Sequence, residues 1–269
     1  MALPKKRLVG PYTLIDSLGK GSMGTVYRAF HSPSRKHVAL KLMQIDPDSP
    51  VDRKKRFFRE AELASQLDHP NIIKIFEFGE DDNHLYISME LLTGKDMKVV
   101  LESNPKTIPL NQKITWIKEL LAAFSFAHKK GIVHRDIKPS NVWIRYDNTT
   151  VVMDFGIARP PFSDITRAGI ILGTPDYISP EQILSVRVDQ RTDIFLLGIL
   201  FYELLTGTHP FLGDSQAGTA HNLLNENPKS PRELDPEVPE HLSAVILKCL
   251  NKDMNYRYQS CEEILLALN

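Results

Sequence analysis

The chain has 269 residues, with 33 basic and 33 acidic side chains, so its formal net charge at pH 7 is zero. This length suits one large domain or two lobes that bury a proper hydrophobic core. Balanced charge excludes a protein that is held to nucleic acid or to anionic lipid by bulk charge, and we expect no nucleic-acid partner.

Cysteine content and apolar run length both favour a cytoplasmic location. Cys249 and Cys261 are too few for a disulfide framework or a four-cysteine zinc site. The basic start of the chain leads into Gly10-Pro11 rather than into an apolar segment. The longest apolar run, Ile194 to Tyr202, is well short of the about 20 residues that a membrane-spanning helix needs. We expect a buried helix there and no membrane segment within the chain; an anchor outside these residues stays open.

The chain up to about residue 90 is predicted to be rich in strands, because β-branched and aromatic residues cluster in short runs. The predicted strands are Tyr12–Ile15, Thr25–Phe30, Val38–Leu42, Ile72–Phe78 and Leu85–Glu90. One helix interrupts them, from about Asp52 to Leu67, with apolar residues at helical spacing.

After Thr93-Gly94 the pattern becomes mostly helical. One helix is expected to end at Lys129-Lys130-Gly131, where the lysines complement the helix dipole and the glycine suits a left-handed cap. Short strands are predicted at Val142–Ile144 and Val151–Met153. The fold class is therefore α+β: a lead-in over 1–11, a small strand-rich lobe over about 12–92 and a larger helical lobe over about 93–269. A ligand cleft would form naturally between two such lobes.

A glycine-rich segment, Gly19-Lys20-Gly21-Ser22-Met23-Gly24-Thr25-Val26, has the pattern G-x-G-x-x-G-x-V. Glycines allow a backbone to approach phosphate oxygens closely. In dinucleotide-binding folds such a loop opens a helix, whereas here a strand follows, so the loop caps a hairpin. On this segment alone, a glycine-rich turn without a ligand is an equally good interpretation.

Lys41 lies in an apolar predicted strand. A buried ammonium group needs an anionic partner, although a lone strand lysine more often faces solvent. Glu60 is the candidate partner, because it lies on the helix side that carries Phe57 and Ala64. Glu62 is the rival carboxylate and points away.

Two further segments carry dense polar chemistry. His134-Arg135-Asp136-Ile137-Lys138-Pro139-Ser140-Asn141 mixes a carboxylate, two cations and an amide, which is typical of a site, the alternative being a solvated turn. His134 alone is more often a buried structural histidine than a metal ligand. Asp154-Phe155-Gly156 places an acid at a strand end, which suits a hard cation such as Mg²⁺, although the tripeptide also occurs by chance.

In this order, the motifs resemble the protein kinase superfamily, and most of all bacterial serine/threonine kinases of eukaryotic type. The resemblance runs from about Tyr12 to Leu268. Gly173–Glu181 resembles the substrate-binding segment that ends in A-P-E, and Asp193–Gly198 resembles a buried helix of the family. Arg257 resembles the late arginine that pairs with Glu181. Two packing positions depart from the family pattern: Ile137 replaces a leucine and Ser179 an alanine.

The resemblance implies a bilobal protein-kinase-like fold and ATP-dependent transfer of the γ-phosphoryl group to serine or threonine hydroxyls of proteins. ATP and Mg²⁺ are the implied cofactors, with Mn²⁺ as the alternative metal. Lys138 and Thr174 favour serine/threonine over tyrosine specificity. The alternatives are a nucleotide-binding pseudokinase, which would lack catalytic positions, and a small-molecule phosphotransferase, which would lack the peptide-binding segment.

The resemblance also implies catalytic and metal-binding roles. Asp136 would orient the substrate hydroxyl and accept its proton, and Lys138 would offset charge on the transferred group. Lys41, paired with Glu60, would hold the α- and β-phosphates. The implied metal ligands are Asn141 and Asp154.

Nucleotide-binding residues follow in the same way, from the glycine-rich loop, the lysine strand and a hinge that meets adenine. They are Leu18, Gly19, Lys20, Gly21, Ser22, Met23, Gly24, Val26, Ala39, Lys41, Met89, Glu90 and Leu92.

Regulation is expected at Arg135, interpreted as a buried cation that a phosphate would pair. Thr166 is the preferred autophosphorylation site, an unmodified surface threonine being the alternative. A homodimer is the expected arrangement for that reaction.

Overall fold

The computed structural model describes residues 7–21, 24–44, 51–103, 105–155 and 176–268, without the side chains of 51–53. The chain divides into two compact units. Met1–His69 and Ile73–Thr93 form the first unit, and Pro70–Ile72 and Gly94–Asn269 form the second.

The first unit contains a six-stranded antiparallel sheet in the order β1-β2-β3-β4-β6-β5. Its strands are β1 Leu8–Val9, β2 Tyr12–Gly21, β3 Gly24–His31, β4 Lys36–Gln44, β5 Ile75–Asp81 and β6 His84–Met89. Aliphatic and aromatic side chains of the sheet form a buried cluster, in which Tyr12, Leu40 and Tyr86 take part. This packing confirms the predicted strand-rich character of the segment.

One strand begins later than predicted. Ile72 and Ile73 are buried but precede β5, which starts at Ile75. Ile72, which belongs to the second unit, instead forms an isolated parallel bridge with Val152 of the same unit. The Val152 amide donates to the Asn71 carbonyl at 2.8 Å. A buried apolar run looks the same in sequence whether it continues a strand or bridges to another element.

The helix of the first unit, α1, spans Val51–Ser65. Phe57, Ala61 and Ala64 are buried on one side of it, as their spacing predicts. The helix closes earlier than Leu67, and the Leu67 amide donates to the Ala64 carbonyl at 3.1 Å in a final tight turn.

The second unit is mostly helical and carries a three-stranded antiparallel sheet. The strands are β7 Gly94–Asp96, β8 Val142–Arg145 and β9 Thr150–Val152. The described α-helices are α2 Met97–Glu102, α3 Leu110–Lys129, α4 Pro180–Ile183, α5 Gln190–Thr206, α6 Gln216–Asn225, α7 Pro231–Leu234, α8 Glu240–Cys249 and α9 Cys261–Ala267. Short 3₁₀ turns lie at Pro105–Thr107, Pro139–Asn141 and Met254–Tyr256. β7, which follows Thr93 directly, was not predicted.

Two helix predictions are confirmed by how the helices end and pack. Gly131, just beyond α3, has φ +74°, the left-handed cap conformation. Ile194 to Tyr202 lie inside α5 and are buried throughout. Asp189 caps α5 by accepting a hydrogen bond from the Arg191 amide at 2.9 Å. Within the described part of the chain, no helix has the length and apolar character to cross a membrane.

Candidate active site

The loop that carries Asp136 is anchored through its backbone to one buried carboxylate. Asp193, in the first turn of α5, is fully buried. Its Oδ2 accepts from the His134 amide and its Oδ1 from the Arg135 amide, both at 2.8 Å. His128 Nε2 of α3 lies 2.8 Å from Oδ2. The buried charge is therefore stabilised by three hydrogen bonds, and the backbone just before Asp136 is held in place.

His134 is a structural histidine, as its isolation in the sequence predicts. It is 1% exposed, and its Nε2 lies 2.8 Å from the Met153 carbonyl. Its Nδ1 accepts from the Asp136 amide at 3.2 Å. A carbonyl cannot donate, so the ring carries its proton on Nε2 and both nitrogens are used.

Arg135 adopts φ +65°, a costly conformation for a residue with a side chain. The Gln182 side chain donates to the Arg135 carbonyl at 2.9 Å and helps to hold this turn. The Arg135 side chain is exposed, so the expectation of a buried cation is wrong. A long arginine side chain beside a buried backbone can extend into solvent, which the sequence does not reveal.

Asp136 lies among polar partners from its own loop. Lys138 Nζ is 3.2 Å from Asp136 Oδ2. The Asn141 amide nitrogen donates to the same oxygen at 3.2 Å and to the Asp136 carbonyl at 2.8 Å. The Asp136 carboxylate is 15% exposed, so it is oriented by the loop yet reachable. His134, Ile137 and Asn141 are buried, so the alternative of a solvated turn is excluded. Asp136, Lys138 and Asn141, three predicted site residues, come together.

The candidate metal ligands are tied to one another through the backbone. Asn141 is buried, and its carbonyl accepts from the Met153 amide at 2.9 Å, next to Asp154. Asp154 has φ +57°, and the Phe155 ring packs 4.8 Å from the His134 ring. Because the Asn141 nitrogen is committed to Asp136, its side-chain oxygen is the atom left for a ligand.

These donors fit a hard cation, since amide and carboxylate oxygens are what Mg²⁺ prefers. Among the residues that the structure describes, no group of three or more His, Cys, Asp or Glu could hold a metal ion. The assignment of Asn141 and Asp154 as metal ligands stays a prediction.

In the first unit, Lys41 is 7% exposed, so the solvent-facing interpretation of this lysine is wrong. The register of the sheet places Val26 opposite Lys41 and Ala39 opposite Met89. Four of the predicted nucleotide-binding residues are therefore neighbours in pairs on three adjacent strands. Glu60 is half-buried, whereas the rival Glu62 is exposed. The pairing of Lys41 with Glu60 stays a prediction.

The glycine-rich segment caps the β2–β3 hairpin, as predicted, with Gly19 opposite Val26 and Gly21 opposite Gly24. Gly24 has φ +142°, and a Cβ there would lie 2.1 Å from the Leu42 carbonyl oxygen. A Cβ at Gly19 would meet nothing within 4 Å. Gly24 is required by the sheet itself, whereas a Cβ at Gly19 would extend into open space. Ser22 and Met23 lie outside the described residues.

Glu181 and Arg257 form the predicted pair. Arg257 donates to both carboxylate oxygens, at 2.8 and 3.0 Å, and the two side chains are 0% and 3% exposed. The Thr192 hydroxyl adds a bond to Glu181 at 2.7 Å. Burial alone would raise the pKa of Glu181, but the hydrogen bonds and charge of Arg257 outweigh burial and lower it.

Two parts of the site escaped sequence reasoning. The anchoring role of Asp193 was signalled only by an acid at the end of an apolar run. No sequence pattern pointed to Gln182, because its hydrogen bond to the Arg135 carbonyl joins residues that are far apart in the sequence. Gly156, Thr166 and Thr174 lie outside the described residues, so the regulatory prediction at Thr166 stays untested.

Among the described residues, the first unit is strand-rich with one helix, and the second is mostly helical and carries Asp136, Lys138 and Asn141 on an anchored loop. This is the protein kinase fold. A solved kinase domain, PknI of Mycobacterium tuberculosis, has this fold with a TM-score of 0.79 and 27% sequence identity. The similarity covers 100% of this chain and 99% of that one.

The protein kinase domain model matches residues 12–267, and the chain belongs to this family. A probable serine/threonine-protein kinase of Streptomyces coelicolor is 40% identical over 266 residues, which cover 96% of this chain and 39% of the relative. Serine/threonine-protein kinase PrkC of Bacillus subtilis is 37% identical over 260 residues, 96% of this chain and 40% of the relative. The chain therefore spans about two fifths of the length of these relatives. The predicted resemblance to bacterial serine/threonine kinases of eukaryotic type is confirmed.

Proposed function

We propose that this chain is the catalytic domain of an ATP-dependent serine/threonine protein kinase. The observation that carries the proposal is the loop around Asp136, whose carboxylate is oriented by Lys138 and Asn141 at 3.2 Å. Family membership and the names of the relatives support the same activity.

In the proposed reaction, Asp136 accepts the proton of a serine or threonine hydroxyl, which turns that oxygen into the nucleophile. The ammonium group of Lys138 would offset negative charge on the transferred phosphoryl group. When bound, ATP would supply the γ-phosphoryl group and leave as ADP, and Mg²⁺ would neutralise charge on the phosphate oxygens. Asn141 and Asp154 would hold the cation, for which Mn²⁺ is the alternative.

The first unit would hold the nucleotide. Lys41, paired with Glu60, would hold the α- and β-phosphates, and the glycine-rich segment from Leu18 to Val26 would cover the nucleotide. Ala39 and the hinge residues Met89, Glu90 and Leu92 would contact adenine. Burial of Lys41 and the open space at Gly19 support this assignment. Because Cys249 and Cys261 are free thiols, we place the reaction in the reducing cytoplasm.

A labelled-ATP assay tests the function. The chain is incubated with γ-labelled ATP, Mg²⁺ and casein, and in parallel with kanamycin or choline. We expect label on serine and threonine of casein. Asp154→Asn should lower the rate by about 100-fold or more, because a cation ligand loses its charge. Asp82→Asn is the matched control, since Asp82 also has positive φ and is exposed.

Equal rates for the Asp154→Asn and Asp82→Asn variants would contradict the proposed metal ligand. Label on kanamycin or choline but not on protein would support a small-molecule phosphotransferase. Nucleotide binding without any transfer would support a pseudokinase.

Regulation through Thr166 is a separate part of the proposal. Thr166 and Ser163 are the hydroxyl side chains between Gly156 and Gly173. Thr166→Ala should lower autophosphorylation, while Ser163→Ala should not. Autophosphorylation within a homodimer should give a rate per molecule that rises with protein concentration. Phosphate mapping that finds Thr166 empty on active protein would contradict this assignment.

A further inference from the structure

A chain of polar contacts leads from the last described helix to the catalytic loop. Cys261 Sγ lies 3.8 Å from His128 Nδ1. His128 Nε2 lies 2.8 Å from Asp193 Oδ2. Asp193 in turn accepts the backbone amides of His134 and Arg135, the two residues before Asp136. Cys261 is thus separated from the loop backbone by only two side chains.

The direction of each hydrogen bond follows from the chemistry of the groups. A carboxylate only accepts, so His128 must carry a proton on Nε2 to bond Asp193. In the neutral ring, Nδ1 is then an acceptor, and a thiol S–H is a weak donor that can supply it. The His128 side chain is 5% exposed, so Nδ1 would otherwise be a buried acceptor that water reaches poorly.

Cys261 is held in position to make this contact. It is the first residue of α9, and Ser260 caps that helix by accepting from the Glu263 amide at 3.2 Å. The next residue, Glu262, forms an ion pair with Lys129, the neighbour of His128 on α3. Two successive residues of α9 therefore contact two successive residues of α3.

The thiol is available as a donor. Cys261 is 1% exposed, and burial, with the charge of Asp193 next, raises its pKa well above the ordinary value. The sulfur thus keeps its proton at neutral pH.

We infer that Cys261 is a positioning residue: its S–H donates to His128 Nδ1 and so keeps the His128 proton on Nε2, where it supports Asp193 beneath the catalytic loop. The consequence for phosphoryl transfer rests on the proposed function. The contact itself and the protonation of His128 do not.

The first test reads the protonation of His128 directly. The chain is labelled with ¹⁵N-histidine, and long-range ¹H–¹⁵N spectra are recorded at pH 7.5, with the His128 signals identified by their loss in His128→Asn. We expect the neutral ring with its proton on Nε2 in the wild type and in Cys261→Ser, which keeps a donor. In Cys261→Ala, where Nδ1 loses its donor while Nε2 still donates to Asp193, the signals should move toward the doubly protonated ring.

The second test measures phosphoryl transfer. Cys261→Ala should lower kcat by about 3- to 10-fold, the range that the loss of one hydrogen bond gives, with KM for ATP unchanged. Cys261→Ser should restore most of the rate. Cys249→Ala removes an equally buried thiol from α8 and serves as the control for lost packing, with kcat expected to stay within about 2-fold of wild type.

The inference is overturned if the wild-type ring carries its proton on Nδ1 or on both nitrogens, or if Cys261→Ala leaves the His128 signals unchanged. Equal losses of kcat in Cys261→Ala and Cys249→Ala would assign the effect to packing and would also overturn it. A wild-type chain that transfers no phosphate would refute the proposed function instead, while the spectra still decide the protonation of His128.

Discussion

Carboxyl groups of the second unit differ in what stabilises them. Asp193 accepts two backbone amides, and Glu181 is bonded to Arg257. Glu203 of α5 accepts a hydrogen bond from the Tyr177 hydroxyl. The charged group that acts on it is another carboxylate, Asp176, which repels a negative charge on Glu203. Burial, with Asp176 second, raises the pKa of Glu203 to about 7. Glu203 is therefore largely uncharged below neutral pH.

A pH-dependent effect on stability follows for Glu203. Its folded-state pKa lies above the unfolded value of about 4.3, so the folded state holds its proton more tightly. Stability is therefore lost as pH rises from about 4.3 to about 7, where the unfolded chain ionises first. We expect Glu203→Gln to raise the melting temperature at pH 8 and to leave it nearly unchanged at pH 4.5.

Thermal unfolding of both proteins at the two pH values checks this prediction. Glu102→Gln is a suitable control, because Glu102 is 64% exposed. A melting temperature that falls on Glu203→Gln at pH 8 would show that the ionised carboxylate stabilises the fold.

At the scale of elements, two glycines of the glycine-rich hairpin have different roles. Gly24 is needed for the sheet to form, whereas Gly19 is proposed to leave room for a ligand. Gly24→Ala should destabilise the fold by about 1–3 kcal/mol, because its φ is unsuited to alanine and its Cβ would meet the β4 backbone. Gly19→Ala should leave stability unchanged and raise KM for ATP, because it fills the space proposed for phosphate. Urea unfolding and steady-state kinetics distinguish the two. A Gly24→Ala protein as stable as wild type would contradict the need for glycine at that position. A Gly19→Ala protein with an unaltered KM for ATP would contradict the proposed phosphate-binding role of Gly19.

The Glu181–Arg257 pair links α4 to the turn that follows Met254–Tyr256. Removal of one partner leaves a buried charge, so Glu181→Gln should cost about 3–5 kcal/mol of unfolding free energy at pH 7. The same change at the exposed Lys98–Glu102 pair, Glu102→Gln, should cost no more than about 0.5 kcal/mol. Equal costs in urea unfolding would show that burial of the pair does not matter.

The pH dependence of this pair has the opposite sign to that of Glu203. The folded-state pKa of Glu181 is lowered, so its stabilisation is fully present above the ordinary range of a glutamate. It is lost as pH falls through the lowered value. The difference between wild type and Glu181→Gln should therefore be constant from pH 8 to pH 5 and shrink below about pH 4. A difference that shrinks near pH 7 would contradict this sign.

At the scale of the whole molecule, local sequence patterns predicted the helices and strands that are determined by nearby residues. The hairpin around Gly24 and the helix from Leu110 to Lys129 follow from strand-forming runs, helical spacing and caps. β7 was missed because three residues of mixed polarity gain strand structure only by pairing with β8. Ile72 was misplaced because its bridge partner, Val152, lies far along the chain.

The sequence predicted which residues form the candidate site better than it predicted their contacts and exposure. The dense polar stretch and the family resemblance identified Asp136, Lys138 and Asn141, and the structure brings them together. The bond from Gln182 to the Arg135 carbonyl spans 47 positions of the sequence, so no local pattern could predict it. The exposure of Arg135 depends likewise on tertiary packing. The roles assigned to Lys41, Glu60 and Thr166 came from family resemblance and stay predictions.

The most direct test of the account is mass spectrometry of the protein after incubation with ATP and Mg²⁺, for the wild type and for Asp136→Asn. Asp68→Asn is the control, because Asp68 is 86% exposed. We predict phosphate on serine or threonine in the wild type and control, and at least about 100-fold less in Asp136→Asn, the usual contribution of a general base. Equal phosphate in Asp136→Asn and wild type would contradict the account, as would a wild-type protein that acquires none.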